Sequence, residues 1–276
     1  MTGPKPEMVR RLERPRPFPG DYSGNARAVI ERGFKVILTQ NWIIIVSGFF
    51  EPLLYLFAMG YGLGGMIGTV SGPGGAEIPY IQFIAPALLA SSAMNGAIYD
   101  STWNVFFKMR FAKLYQAMVQ TSLGPMDVAI GEIFMALFRG FLYSLGFMGV
   151  LYGLGIVSGR TPLLMVPAAV LVAFGFASFG MGITSFMKTF QQMDLINFVM
   201  LPMFMLSGTL FPISVLPEAL QGVVMAMPLW HGIELMRQLA VAHFDWSTLG
   251  HAAYFLVMVV LGLWFTTARL RKLFLR

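Results

Sequence analysis

The chain has 276 residues, of which 57% are hydrophobic and only 12% are charged. An ordinary soluble domain carries about a quarter charged residues, so this composition excludes a typical water-soluble protein. Cysteine is absent, which excludes disulfides and cysteine-based metal or catalytic sites. The net charge of +6 has to be read by position, because Lys and Arg set the orientation of a membrane protein.

The N-terminal part predicts a tail and then an amphipathic helix. Residues 1–22 are polar and rich in proline, which predicts a flexible cytoplasmic tail ahead of a transmembrane domain over residues 23–276. Residues 25–40 place their charges on one arc and aliphatic side chains opposite, a pattern typical of an interfacial helix on the inner membrane surface. An ordinary cytoplasmic extension of the first span is the alternative. The charged residues are Arg27, Glu31, Arg32 and Lys35.

Six apolar stretches are each long enough, at about 17–25 residues, to cross a bilayer. They are Trp42–Leu63, Tyr80–Tyr99, Ala129–Leu154, Leu163–Met187, Leu195–Phe211 and Ala252–Ala268. A further run, Val215–Trp230, is interrupted by Pro217, Glu218 and Pro228, which predicts re-entrant helices between the fifth and sixth spans. The sequence therefore predicts an all-α integral membrane protein with six transmembrane helices.

The basic residues orient these spans. Sixteen of the 19 lie in the N-terminal segment, the second-to-third connection, the fourth-to-fifth connection and the C-terminal tail. The alternate connections carry only Arg160 and Arg237, and Arg139 lies inside a span. Positive charge collects on the cytoplasmic side, so we expect a multi-pass protein of the cell membrane with both termini inside.

The connection between the second and third spans predicts a short helix. Apolar side chains recur along it at helical spacing, whereas Lys108, Arg110 and Lys113 lie off that stripe. Gly124 and Pro125 should end the helix. The helix suits a docking handle for a cytoplasmic partner, and the alternative is a linker anchored by snorkelling lysines. The stripe consists of Phe107, Phe111, Leu114 and Met118.

Three charges fall inside predicted spans: Glu51 in the first, and Glu132 and Arg139 in the third. Such a charge costs roughly 2.5–3.5 kcal/mol near the bilayer centre, so each needs a partner or a wet cavity. Glu51 and Arg139 lie at similar depth, which allows three interpretations: they pair, they line a translocation path, or they do neither.

Small residues crowd the second and fourth predicted spans, and the chain holds 21 methionines. Close helix packing explains the small residues, and a soft path for large hydrophobic cargo is the other interpretation.

Motifs for catalysis are missing. Gly60–Gly65 fits G-x-G-x-x-G, but it follows a membrane helix rather than a strand, so dinucleotide binding is not indicated. The loop 64–79 is predicted to be a flexible external connection. No G-x-x-x-x-G-K-[ST] sequence, H-E-x-x-H sequence or nucleophile elbow occurs, and the histidines lack a one-turn metal spacing. We therefore expect no enzyme activity, no metal, no cofactor in this chain and no nucleic-acid partner.

Several sequence blocks, in order, resemble the ABC-2 family of ABC-exporter permeases. These blocks are the run 206–217 with the Met227–His231 segment after it, Glu51–Tyr55 leading to Gly60–Gly64, and Thr121–Pro125 entering Gly131 and Glu132. Within that family the chain looks most like the branch of lipooligosaccharide (nodulation-factor) and daunorubicin-type exporters.

The resemblance implies a permease subunit that exports a lipid-linked glycan, a glycolipid or a hydrophobic drug. It implies a homo- or heterodimer of permeases in membrane lipid and two separate cytoplasmic ABC ATPase subunits that bind ATP and Mg. By this resemblance, residues 108–119 correspond to the helix that docks on the ATPase, and residues 207–230 correspond to an external gate. The implied ATPase contacts are Lys108, Arg110, Phe111, Lys113, Leu114 and Tyr115, and the implied gate residues are Ser207, Gly208, Phe211, Pro212, Pro217 and Pro228.

Two other functions stay open. A secondary transporter driven by an ion gradient would show inverted repeats with midplane ionisable residues, and no repeat is evident. A membrane scaffold without transport activity is the second.

Overall fold

A computed structural model describes residues 24–39, residue 50 and residues 52–274. The predicted tail at residues 1–22, Glu51 and most of the first half of the predicted span Trp42–Leu63 lie outside the described residues. In the described part the helices are α1 (Ala26–Thr39), α2 (Pro52–Ile67), α3 (Tyr80–Phe111), α4 (Leu114–Val119), α5 (Pro125–Gly153), α6 (Thr161–Thr184), α7 (Phe190–Leu206), α8 (Glu218–Met225), α9 (Pro228–Ala240) and α10 (Trp246–Phe274).

Four of these helices, α3, α5, α6 and α10, are long and apolar enough to cross a membrane. They correspond to the second, third, fourth and sixth predicted spans. The first and fifth predicted spans correspond to α2 and α7, whose described parts are apolar but shorter. A membrane protein built mainly of helices is therefore confirmed, and the six-span count stays a prediction.

Helices α3 and α5 extend past their apolar stretches at the ends rich in basic residues. α3 runs twelve residues past Tyr99, to Phe111, through two π-helical turns at Asp100–Asn104 and Phe107–Phe111. α5 begins at Pro125 rather than Ala129. A span predicted from hydropathy stops at the first charged residue, whereas the helix itself continues where that charge has a buried partner.

Helix α6 lies at the centre of the bundle and packs against α3, α5 and α10. Its small residues make this possible: a Cβ at Gly180 would collide with Ser101 of α3, and one at Gly182 with Phe265 of α10. The Thr266 hydroxyl also donates to the Ser178 carbonyl oxygen at 2.6 Å. The small residues of the fourth predicted span therefore serve close packing in the described fold.

Helix α1 packs its apolar face on α5. Val29 is 2% exposed and lies on Gly131, and the ring of Phe34 meets that of Phe138 edge to face at 4.8 Å between centroids. Val36, at the far end of the same face, is 40% exposed. The amphipathic helix is thus seated on the bundle, and its placement on a membrane surface stays a prediction.

The connection from α2 to α3 contains a two-stranded antiparallel hairpin of β1 (Thr69–Ser71) and β2 (Glu77–Pro79). The expected all-α fold therefore needs a small correction. Gly74 and Gly75 have positive φ values in the turn, a conformation that glycine adopts at little cost. The glycine-rich composition predicted a flexible loop. Glycine is also common in tight turns, and here it forms the turn of the hairpin.

The interrupted run Val215–Trp230 forms neither a span nor a single helix. Pro217 precedes α8, and Pro228 is the first residue of α9, the position where a missing N–H is not needed. The predicted pair of short helices between the fifth and sixth spans is present, and its insertion into the membrane stays a prediction.

Candidate functional site

Two buried ion pairs join α3 to α5. Asp100 Oδ1 lies 2.7 Å from Arg139 Nη1, and Glu132 Oε2 lies 2.5 Å from Lys108 Nζ. Both carboxylates are 5% exposed. Burying these charges is tolerable because each one has an opposite charge at hydrogen-bond distance. We call these four residues the charge ladder.

The ladder accounts for two of the three intramembrane charges found in the sequence. The Arg139 guanidinium pairs with Asp100, a residue the sequence reading passed over because it ends an apolar stretch. Glu51 lies outside the described residues, so its proposed contact with Arg139 stays a prediction. Glu132 pairs with Lys108, which the sequence assigned to a partner protein.

Glu132 also connects the ladder to α1 and α4. Arg32 of α1 approaches with Nη1 3.9 Å from Glu132 Oε1. Tyr115 of α4 is fully buried, and this burial raises the pKa of its phenol well above its ordinary value; the charge of Glu132 raises that pKa further. Three elements therefore meet at a single carboxylate.

A third buried carboxylate, Asp127, holds the start of α1 against the start of α5. Its Oδ1 accepts from the backbone N–H of Asn25 at 3.0 Å, and its Oδ2 accepts from that of Gly124 at 2.8 Å. The Asn25 amide also donates to the Ser122 carbonyl at 3.3 Å. An acidic residue in the first turn of a helix suits the positive end of its dipole, and Gly-Pro-x-Asp was the available sequence signal.

The predicted ATPase-docking helix differs in extent from its expectation. The prediction of a single helix over residues 108–119 is wrong, because Lys113 takes a left-handed conformation (φ 47°) between the end of α3 and α4. The break brings different faces outward: Phe111 is 62% exposed and Lys113 is exposed, whereas Met118 is buried.

Three of the six residues implied to contact the ATPase are occupied by their own chain. Lys108 is bound to Glu132, Arg110 Nε donates to the Met187 carbonyl at 3.0 Å, and Tyr115 is buried. Phe111, Lys113 and the partly exposed Leu114 remain on the surface. The docking role itself is untested and stays a prediction.

On the interfacial helix, Arg27 and Glu31 form an exposed pair at 2.6 Å. Such a pair contributes little to stability. Lys35 is also exposed. Arg32 of the same helix reaches the ladder.

At the opposite end of the bundle, Arg237 is 3% exposed and binds three elements. Its Nη2 donates to the Gly208 carbonyl at 2.6 Å, its Nε to the Phe83 carbonyl at 3.2 Å, and its Nη1 lies 3.0 Å from Glu234. Its guanidinium also stacks 3.6 Å from the Phe83 ring centre, a favourable cation–π contact. Sequence reasoning used Arg237 only for topology and missed this role.

Of the predicted gate residues, Gly208 binds that arginine through its carbonyl oxygen. Ser207 is fully buried, and Gly208 takes a φ of 75° that favours glycine. Phe211 and Pro212 are half-buried, and Pro217 is exposed. The structure thus brings the 207–208 turn to Arg237, whereas Pro217 precedes α8 and Pro228 begins α9.

His231 of α9 and His251 of α10 come together, with 2.8 Å between their Nδ1 atoms. Their separation of 20 residues hid this contact from a search for one-turn spacing. In the described residues no group of three His, Cys, Asp or Glu side chains is arranged to hold a metal ion.

A groove of about 450 Å³ lies between α2, α3 and α7. Aromatic rings and amides share its lining, which suits a ligand with both apolar and polar parts. Its lining includes Tyr55, Ser91, Asn95, Tyr99, Trp103, Asn197, Met200 and Phe204.

The ABC-2 type transporter family model matches residues 25–241, from the start of α1 to the end of α9. The chain therefore belongs to the ABC-2 type transporter family, whose members are membrane transport components.

Its relatives include Nodulation protein J of Rhizobium leguminosarum bv. trifolii, 31% identical over 227 residues (82% of this chain and 85% of the relative). The protein of the same name from bv. viciae is 30% identical over 253 residues, 91% of this chain and 96% of the relative. That of Sinorhizobium fredii is 33% identical over 194 residues, 70% and 72% of the two chains.

Proposed function

We propose that this chain is the permease half of an ATP-driven exporter that moves an amphipathic cargo, a lipid-linked glycan, a glycolipid or a hydrophobic drug, out of the cytoplasm. The observation that carries the proposal is the aromatic and amide-lined groove on the loosely packed side of a rigid helical bundle. Family membership supports the transport role.

The groove suits such a cargo because its two kinds of lining match the two parts of an amphipathic molecule. Tyr55, Tyr99 and Trp103 offer ring faces, and Asn95 and Asn197 offer amide donors and acceptors. A purely apolar lining would favour lipid tails alone. Helices α2 and α7 form two of the walls of the groove, so separation of these helices would enlarge it.

The power source is a pair of separate ATPase subunits that bind ATP and Mg. Phe111, Lys113 and Leu114 form the exposed break before α4, where such a subunit would dock. Closure of the ATPase pair would push this break and, through α1 and α3, move the spans that flank the groove. Arg237 and the 207–208 turn would hold the external end closed between cycles.

In this proposal α2 and α7 complete a set of six spans, both termini are cytoplasmic, and two permeases form the channel. The basic residues support the orientation. Among the residues that the structure describes, most of α2 and α7 is exposed or only half-buried, which favours a second permease beside them.

An ion-gradient transporter is a weaker candidate. A proton- or sodium-carrying carboxylate has to be free to change partners, and Asp100 and Glu132 are each held by a cation. A scaffold has no need of the groove.

Co-expression with candidate ABC ATPases from the same organism, followed by reconstitution in liposomes, tests the proposal. We expect the two proteins to purify together, ATP hydrolysis to rise in the presence of the permease, and an NBD-labelled glycolipid to cross the bilayer only with ATP. A proton gradient that drives the same movement without ATP would contradict the proposal and support the ion-driven alternative. No movement under either condition, with full co-purification, would favour a scaffold.

A further inference from the structure

The charges of the ladder follow the same order along the two helices that they join, with the acidic residue first on each. Along α3, Asp100 precedes Lys108 by eight residues, and along α5, Glu132 precedes Arg139 by seven. At about 1.5 Å per residue these steps are both roughly 10–12 Å long. Because the helices run in opposite directions, each carboxylate faces a cation in the observed register.

Any other register of the ladder is unfavourable. A slide of one step in one direction places Lys108 beside Arg139, and a slide in the other places Asp100 beside Glu132. Both bring like charges together in a buried setting, where water cannot screen them. The ladder therefore permits one axial position of α3 relative to α5.

Glu132 makes this register depend on the helices at the predicted cytoplasmic end. Arg32 of α1 shares its carboxylate with Lys108, and Tyr115 of α4 is buried beside it. Asp127, one and a half turns earlier on α5, holds Asn25 at the start of α1. A displacement of α4 or α1 would therefore act directly on the Glu132–Lys108 pair.

We propose that Glu132 is a positioning residue for energy coupling: with Lys108 it fixes the register of α3 on α5 and passes movement of the docking region to both helices. This rests on the proposed function as an ATP-driven permease. Lys108 then acts inside its own chain, and the contact with the ATPase falls to neighbours such as Lys113.

Charge exchange separates this role from direct docking. In an Arg32→Gln background, which removes the α1 cation that also faces Glu132, Lys108→Glu and Glu132→Lys each place like charges side by side, whereas the double variant restores an opposite pair in reversed order. We expect each single variant to purify with the ATPase but to lower the permease-stimulated ATP hydrolysis about tenfold. The double variant should recover most of that stimulation.

Two control variants separate an effect on coupling from an effect on ATPase binding and from a general effect of charge reversal. Lys113→Glu should weaken co-purification with the ATPase, and Glu132→Lys should not rescue it. Arg160→Glu, an exposed charge change at the other end of the bundle, should leave both readouts unchanged.

A distance measurement tests the register without any ATPase. The natural chain lacks cysteine, so spin labels at Phe107→Cys of α3 and Phe134→Cys of α5 report on these two exposed positions alone. We expect a narrow distance distribution, a shifted or broadened one in each charge-reversed single variant, and a return to the original in the double variant.

If a charge-reversed single variant fails to fold, the neutral pair Lys108→Met with Glu132→Gln takes its place, because it leaves no buried charge opposite a like charge. This pair should fold yet lose stimulation. Wild-type stimulation by the neutral pair, or a folded exchange variant without recovery, would overturn the inference. Failure of the unmutated permease to stimulate any ATPase would instead reject the proposed function, and the distances would still decide the register.

Discussion

The core around α6 and the flank formed by α7 are both strongly apolar, yet they are packed in opposite ways. Ala169, Ala173 and Ala177 of α6 are fully buried. By contrast, α7 buries none of its residues between Asp194 and Leu206, and Phe198 is 74% exposed. Similar composition therefore serves two purposes: α6 holds the bundle together, and α7 presents an exposed apolar surface.

This difference in packing indicates which parts can move. A core packed through glycine contacts on α6 has little room to rearrange, because interiors are as dense as organic crystals. A helix held by few contacts is displaced at small cost. We infer that α6 and its neighbours form the scaffold and that α2 and α7 border the transport path.

The largest expected difference in stability is between two Phe→Ala substitutions, one in the core around α6 and one on α7. Phe255, fully buried against α6 and α9, should cost about 3–5 kcal/mol of stability on replacement by Ala, because a cavity is left. Phe198→Ala on α7 should change the melting temperature in detergent very little. Equal losses at the two positions would show that α7 is packed as tightly as the core.

Arg237→Met should be the next most severe change. It leaves the carbonyls of Gly208 and Phe83 and the Glu234 carboxylate without their buried donor, a loss of about 3 kcal/mol or more. We expect a lower melting temperature and passive dye leakage from liposomes. Arg160→Met, at an exposed loop position, is the matched control. An Arg237→Met protein that is stable and does not leak dye would show that Arg237 is not needed to close the external end.

A smaller effect is expected from filling glycine contacts. Gly182→Val puts a side chain against Phe265 and Thr266, and overpacking of this kind costs about 1–3 kcal/mol. Gly149 of α5 faces open space, so Gly149→Val should be nearly neutral by comparison. Thermal unfolding followed by size-exclusion chromatography distinguishes them, and similar losses for the two would argue against α6 as the scaffold.

Changes in the groove should affect transport but not stability. Tyr99→Ala and Asn197→Leu, both at exposed positions, each remove one kind of lining. We expect lower transport of an NBD-labelled glycolipid with the melting temperature unchanged. Leu256→Ala, on an exposed part of α10, is the control. Unaltered transport by both groove variants would place the path elsewhere.

The smallest expected effect is a dependence on pH at α9. Burial lowers the pKa of His231, and the nearby charge of His251 lowers it further. A lowered pKa means that the folded state prefers the neutral ring, so stability is kept above about pH 6.5 and declines as the pH falls below it. Glu234 and the stacked Tyr254 ring also face this pair. The melting temperature should fall between pH 7.5 and 5.5, and a His231→Gln, His251→Asn double variant should flatten that fall.

The sequence was most informative where a signal is local. Apolar length located the four long helices, Gly124 and Pro125 marked the start of α5, and Pro217 and Pro228 divided the run before α10. Each of these depends on backbone properties or hydropathy within a few residues.

The sequence was least informative about partners. Asp100 and Arg139 lie 39 residues apart, and Arg237 binds carbonyls 29 and 154 residues away. A residue pattern indicates that a buried charge needs a partner, but the choice is made by tertiary packing. For the same reason the extension of α3 beyond Tyr99 was missed: Asp100 and Lys108 look like the end of a span until their partners are seen.

One measurement tests the division into a scaffold and a moving flank most directly. Spin-label distances in liposomes, with labelled permease diluted by unlabelled chain and bound to the ATPase, compare two pairs: Phe141 with Val199 across the flank, and Phe141 with Leu256 within the scaffold. All three positions are exposed. We predict that ATP changes the first distance by several ångströms and leaves the second unchanged. An unchanged first distance during active ATP hydrolysis, or equal changes in both, would contradict the account.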